Sequence, residues 1–142
     1  MYRDILLAVD LADAQTQKKA LSAAIACCRA FGARLRIITV VPDFGMSVVG
    51  SYFPKNYIQD ALAETEEALQ AFTDEHIPDD IPVQRIVAHG TIYKEIIFYA
   101  EQEGCDLIVM ASNRPSLEDY LLGPNAARVV RHSKASVLVV RD

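Results

Sequence analysis

The sequence predicts an α/β fold: an open five-stranded parallel sheet, strand order 3-2-1-4-5, with helices on both faces. Three observations carry that reading. Short apolar runs alternate with segments of helical period along the whole chain. The first run, Ile5-Leu6-Leu7-Ala8-Val9, is continuous rather than alternating, as in a strand covered on both faces. The 142 residues hold neither an internal repeat nor a linker, so 1–142 reads as one domain, long enough to bury a substantial core.

Strand one occupies Arg3 to Asp10 and is ended by Asp10. From Asp13 to Phe31 the period becomes helical, with Leu21, Ala24, Cys28 and Phe31 on one face and Gly32 as the stop. Leu35 to Val41 is the second strand, ended by Pro42. The stretch Asp43 to Pro54 has two glycines and no clear period. It is long enough for a lid or binding loop, and a loop packing its own Phe44, Val48 and Tyr52 is the equal alternative. Tyr57 to His76 is the clearest helix, with Ile58, Ala61, Leu62, Thr65, Ala68, Leu69 and Phe72 in one stripe. Its carboxylates form a solvated acidic face rather than a metal site, because no histidine joins them at ligand spacing.

Pro78 and Pro82 bracket an acidic turn before strand three, Val83 to Ala88. Gly90 leads into helix three, which turns Ile92, Ile96, Ile97 and Ala100 inward and closes at Gly104. Strand four is Asp106 to Ala111. A polar loop, helix four (Pro124 to His132) and strand five (Ser136 to Val140) complete the chain. Strands alternating with helices imply parallel pairing through right-handed crossovers. The resulting order reverses between strands one and four, and ligands of open α/β sheets bind at that reversal, beyond the strand C-termini.

Composition narrows the function. A net charge of −5 without a Lys/Arg run argues against nucleic acid or an anionic membrane as partner. No apolar run is long enough to span a bilayer, and the N-terminal run is too short and too acidic for a signal peptide, so the expected location is the cytoplasm. Cys27, Cys28 and Cys105 form no CxxC or Cys/His cluster and read as small core hydrophobes. No metal site and no catalytic residue is expected. There is no P-loop and no G-x-G-x-x-G after strand one. Strand three ends without the carboxylate of a phosphoacceptor domain, and no nucleophile elbow occurs.

What remains is a binding site at the reversal, with Asp10 on one side and Met110-Ala111-Ser112 on the other. Asp10 suits an adenine amino group or ribose hydroxyls; its competing use is as cap of the first helix, a role Asp13 can also fill. Arg114, on the loop after strand four, is either a bidentate phosphate ligand or a surface ion pair. Gly123 permits close backbone approach and an unusual φ at the mouth of helix four. Asn125 and Ala126 offer free first-turn N–H groups, favourable to an anion. Pro124 suits the first helical position but deletes one donor there, which costs a phosphate roughly 1.5–3 kcal/mol. His89 is expected past the end of strand three, away from the site, and His132 at the end of helix four is read as structural.

Four stretches in order and spacing carry a family resemblance: Asp4 to Asp10 (DILLAVD), Gly90 to Ile97 (GTIYKEII), Gly104 to Pro115 (GCDLIVMASNRP) and Leu121 to Arg141. Over nearly its whole length the chain resembles the universal stress proteins (a UspA-like domain), in the small-protein branch with an Arg-Pro loop. The resemblance implies an adenine nucleotide alpha hydrolase-like fold and ATP or AMP as ligand, with Mg²⁺ on the phosphates. It implies that Asp10, preceded by Ala8 and Val9, contacts adenosine, that Val40 packs on adenine, that Met110 precedes the phosphate loop and that Gly123 is the last glycine of the motif G-x2-G-x9-G-[ST]. Here Ala111 and Arg114 replace the first two glycines, Pro124 replaces the Ser/Thr, and the segment from Arg114 to Gly123 is one residue shorter.

The resemblance also implies a homodimer through strand five, whose run Val137 to Val140 is apolar on both faces at a sheet edge. The expected protein is a stress-response sensor or regulator that binds an adenine nucleotide. The alternative is a dimeric scaffold of the same fold that binds a protein partner and no nucleotide. A slow ATP hydrolase is disfavoured, because no base or water-positioning residue is evident.

Overall fold

The computed structural model describes residues 1–42, 56–112 and 122–141. The stretch Asp43 to Pro54, expected as a lid or a self-packed loop, lies outside them. Five parallel strands form one sheet: β1 (Asp4–Ala8), β2 (Arg34–Pro42), β3 (Val83–Gly90), β4 (Leu107–Ala111) and β5 (Ser136–Val140), in the order β3-β2-β1-β4-β5. The connecting helices are α1 (Ala14–Phe31), α2 (Tyr57–His76), α3 (Ile92–Gln102) and α4 (Pro124–His132). The expected order holds, with the reversal at β1, which pairs β2 on one side and β4 on the other.

All five residues of β1 are buried, and their alternation splits the core in two. Ile5, Leu7 and Val9 pack with Leu21 and Ala24 of α1 and Leu69 and Phe72 of α2. Leu6 and Ala8 pack on the other face with Ile96 and Ala100 of α3 and Ala126 and Val129 of α4. Burial at this level contributes about 1.5–3 kcal/mol for each large side chain, and it is why the central strand tolerates no polar residue between its ends.

Local rules set the element ends. Gly32 stops α1 at φ 66°, and its N–H donates to the Cys28 carbonyl. Gly90, at φ 148°, makes the turn into α3, and a Cβ there would come within 3.1 Å of the Glu95 side chain. Phe31 continues the stripe of Gln17, Leu21, Ala24 and Cys28 at helical spacing, but as the last residue of α1 it is 38% exposed and meets Tyr2 edge-on at 5.6 Å. One expectation needs correction. His89 does not lie past β3: the ladder with β2 continues to Pro42 opposite Gly90, which puts His89 opposite Val41. Its Nε2 is buried without a hydrogen-bond partner.

At the N-terminal end of the sheet, Asp4 accepts from Arg36 at 2.9 Å and from Arg34 at 2.9 Å, while the Asp106 carboxylate accepts the N–H groups of Arg3 and Asp4. Burial pushes the Asp4 carboxyl up, but the hydrogen bonds and charges of Arg36 and Arg34 together hold it below the ordinary carboxylate value. Burial raises the thiols of Cys28 and Cys105, for Cys105 against the opposing pull of Arg36.

Candidate functional site

Parallel strands release their chain at one end of the sheet, and where neighbouring crossovers leave toward opposite faces a crevice opens between them. Here that crevice is a cavity of about 620 Å³, within the ~300–1,000 Å³ range of small-molecule pockets. Its floor is made of side chains of the α3/α4 core: Ala8 from β1, Ile38 and Val40 from β2, Met110 from β4 and Ile96 from α3. Polar groups stand at the rim. They are Asp10 after β1, Ser112 after β4 and Asn125 in the first turn of α4.

Asp10 is exposed, and its Oδ1 accepts the Ala12 N–H at 3.0 Å, capping a 3₁₀ turn at Leu11–Asp13. Asp13 precedes α1 but makes no side-chain cap bond; its carbonyl accepts from Thr16 Oγ1 instead. The capping role therefore falls on Asp10, not Asp13. The 3₁₀ turn between strand and helix is the reason, because it puts the free N–H groups within reach of Asp10 first.

On the opposite rim, Ser112 links three elements through its backbone. Its N–H donates to Val140 of β5 at 3.0 Å, and its carbonyl accepts from Gly123 at 3.0 Å. These bonds bring the α4 start against the end of β4. Gly123 is buried, but its φ is −61° and its conformation extended, so the expected unusual φ is not found. Its lack of a side chain serves the close approach to Ser112 rather than a left-handed turn. Pro124 takes the first position of α4, and the first turn bond runs from Ala127 N–H to the Gly123 carbonyl. Helix geometry leaves the N–H groups of Asn125 and Ala126 without intrahelical acceptors.

Ala8, Val9, Asp10, Val40, Met110, Ala111, Ser112, Gly123, Pro124, Asn125 and Ala126 all line this one cavity. Arg114 lies outside the described residues. Sequence reasoning missed Ile38, Ile92 and Ile96, which complete the apolar wall, and Gln17. Gln17 is 1% exposed; its Oε1 accepts the Asp10 N–H at 3.2 Å and its Nε2 donates to Thr16 at 2.8 Å. Its signal was a polar residue four positions before Leu21, on the apolar stripe of α1. Among the described residues no helix is long and apolar enough to cross a membrane.

Known proteins resemble this chain in sequence and in fold. Universal stress protein G of Escherichia coli O157:H7 is 29% identical over 143 residues, covering 99% of this chain and 100% of the relative. The solved structure of hypothetical protein MJ0577 matches with a TM-score of 0.81 at 26% identity, over 100% of this chain and 97% of that one. A universal stress protein solved in complex with cAMP matches at TM-score 0.62 and 21% identity, over 98% and 97% of the two chains. One from Archaeoglobus fulgidus in complex with dAMP matches at 0.65 and 16%, over 97% of each. The sequence model described as "Universal stress protein family" matches residues 1–141. The chain belongs to the universal stress protein family.

Proposed function

We propose that this protein binds an adenine nucleotide in the cavity at the strand reversal and acts through it as a stress-response sensor or regulator. The observation that supports the reading is that the expected site residues among the described ones line one cavity of suitable size and polarity. The apolar wall of Ile38, Val40, Ile92, Ile96 and Met110 suits a purine face. Asp10 is a carboxylate acceptor for amino or hydroxyl groups at the rim, and the start of α4 favours the anionic end. Two structural neighbours were solved with cAMP and dAMP, which agrees with this ligand class. The site has the character of a binding site rather than a hydrolytic one, and AMP is the better match, since Pro124 removes a donor where further phosphates would lie.

The protein further acts as a homodimer joined through β5, the half-exposed edge of the sheet, and works in the cytoplasm, where its three free thiols fit a reducing compartment. Titration calorimetry with AMP and ATP, with and without Mg²⁺, tests the ligand. Heat of binding with AMP is expected. Silence with both nucleotides at millimolar concentration would leave the protein as a scaffold that binds no nucleotide.

A further inference from the structure

Among the described residues of the cavity wall, Gln17 is the one fully buried polar side chain, 1% exposed and on the stripe of α1 that packs Leu21, Ala24 and Cys28 into the core. An amide at such a place carries a desolvation cost that an apolar side chain of like size does not, unless its polar atoms are bonded. Here they are bonded toward both ends of the turn that joins β1 to α1. Oε1 accepts the Asp10 N–H at 3.2 Å. Nε2 donates to Thr16 Oγ1 at 2.8 Å, and that hydroxyl donates to the Asp13 carbonyl at 3.0 Å.

The sheet alone does not hold this turn. The β1 ladder ends at Ala8, the Val9 N–H is taken by the Ile38 carbonyl at 2.9 Å, and the Asp10 N–H is the first beyond them. Within the turn, the Asp13 N–H donates to the Asp10 carbonyl at 3.1 Å and Asp10 Oδ1 accepts the Ala12 N–H. Asp10, Ala12, Asp13 and Gln17 all line the cavity. Because the exposed Asp10 carboxylate caps the turn through Oδ1, whatever fixes the turn also fixes where that carboxylate meets a ligand. Groups held in place before binding leave less ordering entropy to be lost on binding.

We propose that Gln17 is a positioning residue of this site: by tying both ends of the Asp10–Asp13 turn to α1, it sets the Asp10 carboxylate at the rim and with it the selectivity for the ligand groups that Asp10 accepts from. The proposal rests on the adenine-nucleotide reading above and deepens it. Recognition of the nucleoside depends on a buried amide of α1 that acts through Asp10, since its own polar groups are engaged within the protein.

The test is calorimetric titration of AMP, purine riboside monophosphate (which lacks the amino group) and dideoxy-AMP (which lacks the ribose hydroxyls) into the parent, Gln17→Met and Leu21→Val. The parent should prefer AMP over at least one analogue, whichever lacks the group that Asp10 accepts from. Gln17→Met should bind AMP about tenfold more weakly, the upper range for one ordinary hydrogen bond, while the disfavoured analogue binds as it does to the parent. Leu21→Val, a core loss on the same stripe away from the cavity wall, should leave all three affinities unchanged. Thr16→Val cuts the link from Gln17 to Asp13; it should repeat the loss of selectivity on a smaller scale and serves where Gln17→Met does not fold. A parent that binds the three ligands alike, a Gln17→Met protein that keeps the parent selectivity, or one in which all three weaken together overturns this inference and leaves the nucleotide reading standing. If the parent binds none of the three, the nucleotide reading falls and takes this inference with it.

Discussion

At the scale of single residues, Asp10 carries two roles that substitution can separate. Its Oδ1 caps the Leu11–Asp13 turn, and a cap of this kind is worth about 1 kcal/mol. The carboxylate also stands at the cavity rim, where ligand hydroxyl or amino groups need an acceptor. Asp10→Ala should abolish nucleotide affinity and lower stability by about that amount. Asp10→Asn keeps a capping oxygen, so it should keep stability while affinity falls. Calorimetry paired with urea unfolding reads both, and unaltered AMP binding in Asp10→Ala would refute the assignment. Pro124 gives the complementary case. Pro124→Ser restores a backbone donor and adds a hydroxyl at the start of α4, so ATP affinity should rise over AMP by about tenfold or more. Equal ATP affinity in parent and variant would show that the phosphates lie elsewhere.

At the scale of elements, edge strand β5 presents Leu138 at 37% exposure and half-buried neighbours on both sides of it. Unpaired strand edges with apolar side chains associate, and a two-fold pairing of β5 with its mate would cover this one. Light scattering at micromolar concentration should report a dimer for the parent and a monomer for Leu138→Glu; a monomeric parent would remove the dimer. Elements with a one-sided stripe were legible in the sequence to the residue, as for α2 at Tyr57–His76 and α4 at Pro124–His132. Strand ends were less so. β3 runs on to Gly90 because β2 supplies ladder partners as far as Pro42, a pairing that no local pattern encodes. Gln17 was hidden for a related reason. A polar residue on an apolar stripe acquires meaning only when the turn after β1 is folded and delivers the Asp10 N–H to it.

At the scale of the whole molecule, the two ends of the sheet carry different work. The C-terminal end holds the cavity, and its floor was legible because continuous apolar strands and alternating helices leave few other arrangements. The N-terminal end holds the charge network that ties β1 to β2 and to the entry of β4 through Asp4, Arg34, Arg36 and Asp106. The Asp4 carboxyl has a folded pKa below its unfolded value, so its contribution is complete above about pH 4 and is lost as pH falls through the folded pKa. Asp4→Asn should cost about 2 kcal/mol at neutral pH, since it leaves Arg36 short of its partner, and should flatten the acid limb of stability. Urea midpoints measured from pH 7 down to pH 3 check this; parallel curves for parent and variant would contradict it.

The backbone of Ser112 has a consequence for exchange with solvent. Its amide is held by Val140 of the edge strand, and its carbonyl holds the amide of Gly123 at the foot of α4. The first bond is the last rung of the β4–β5 ladder and the second lies outside any ladder, so both protons should exchange by local opening rather than by global unfolding. A ligand seated against this corner would slow the two together, and so would a second subunit pinning β5 from the other side. The deuterium uptake of Ser112 and Gly123 is therefore a single gauge on which occupancy of the cavity and pairing of the edge are read in common.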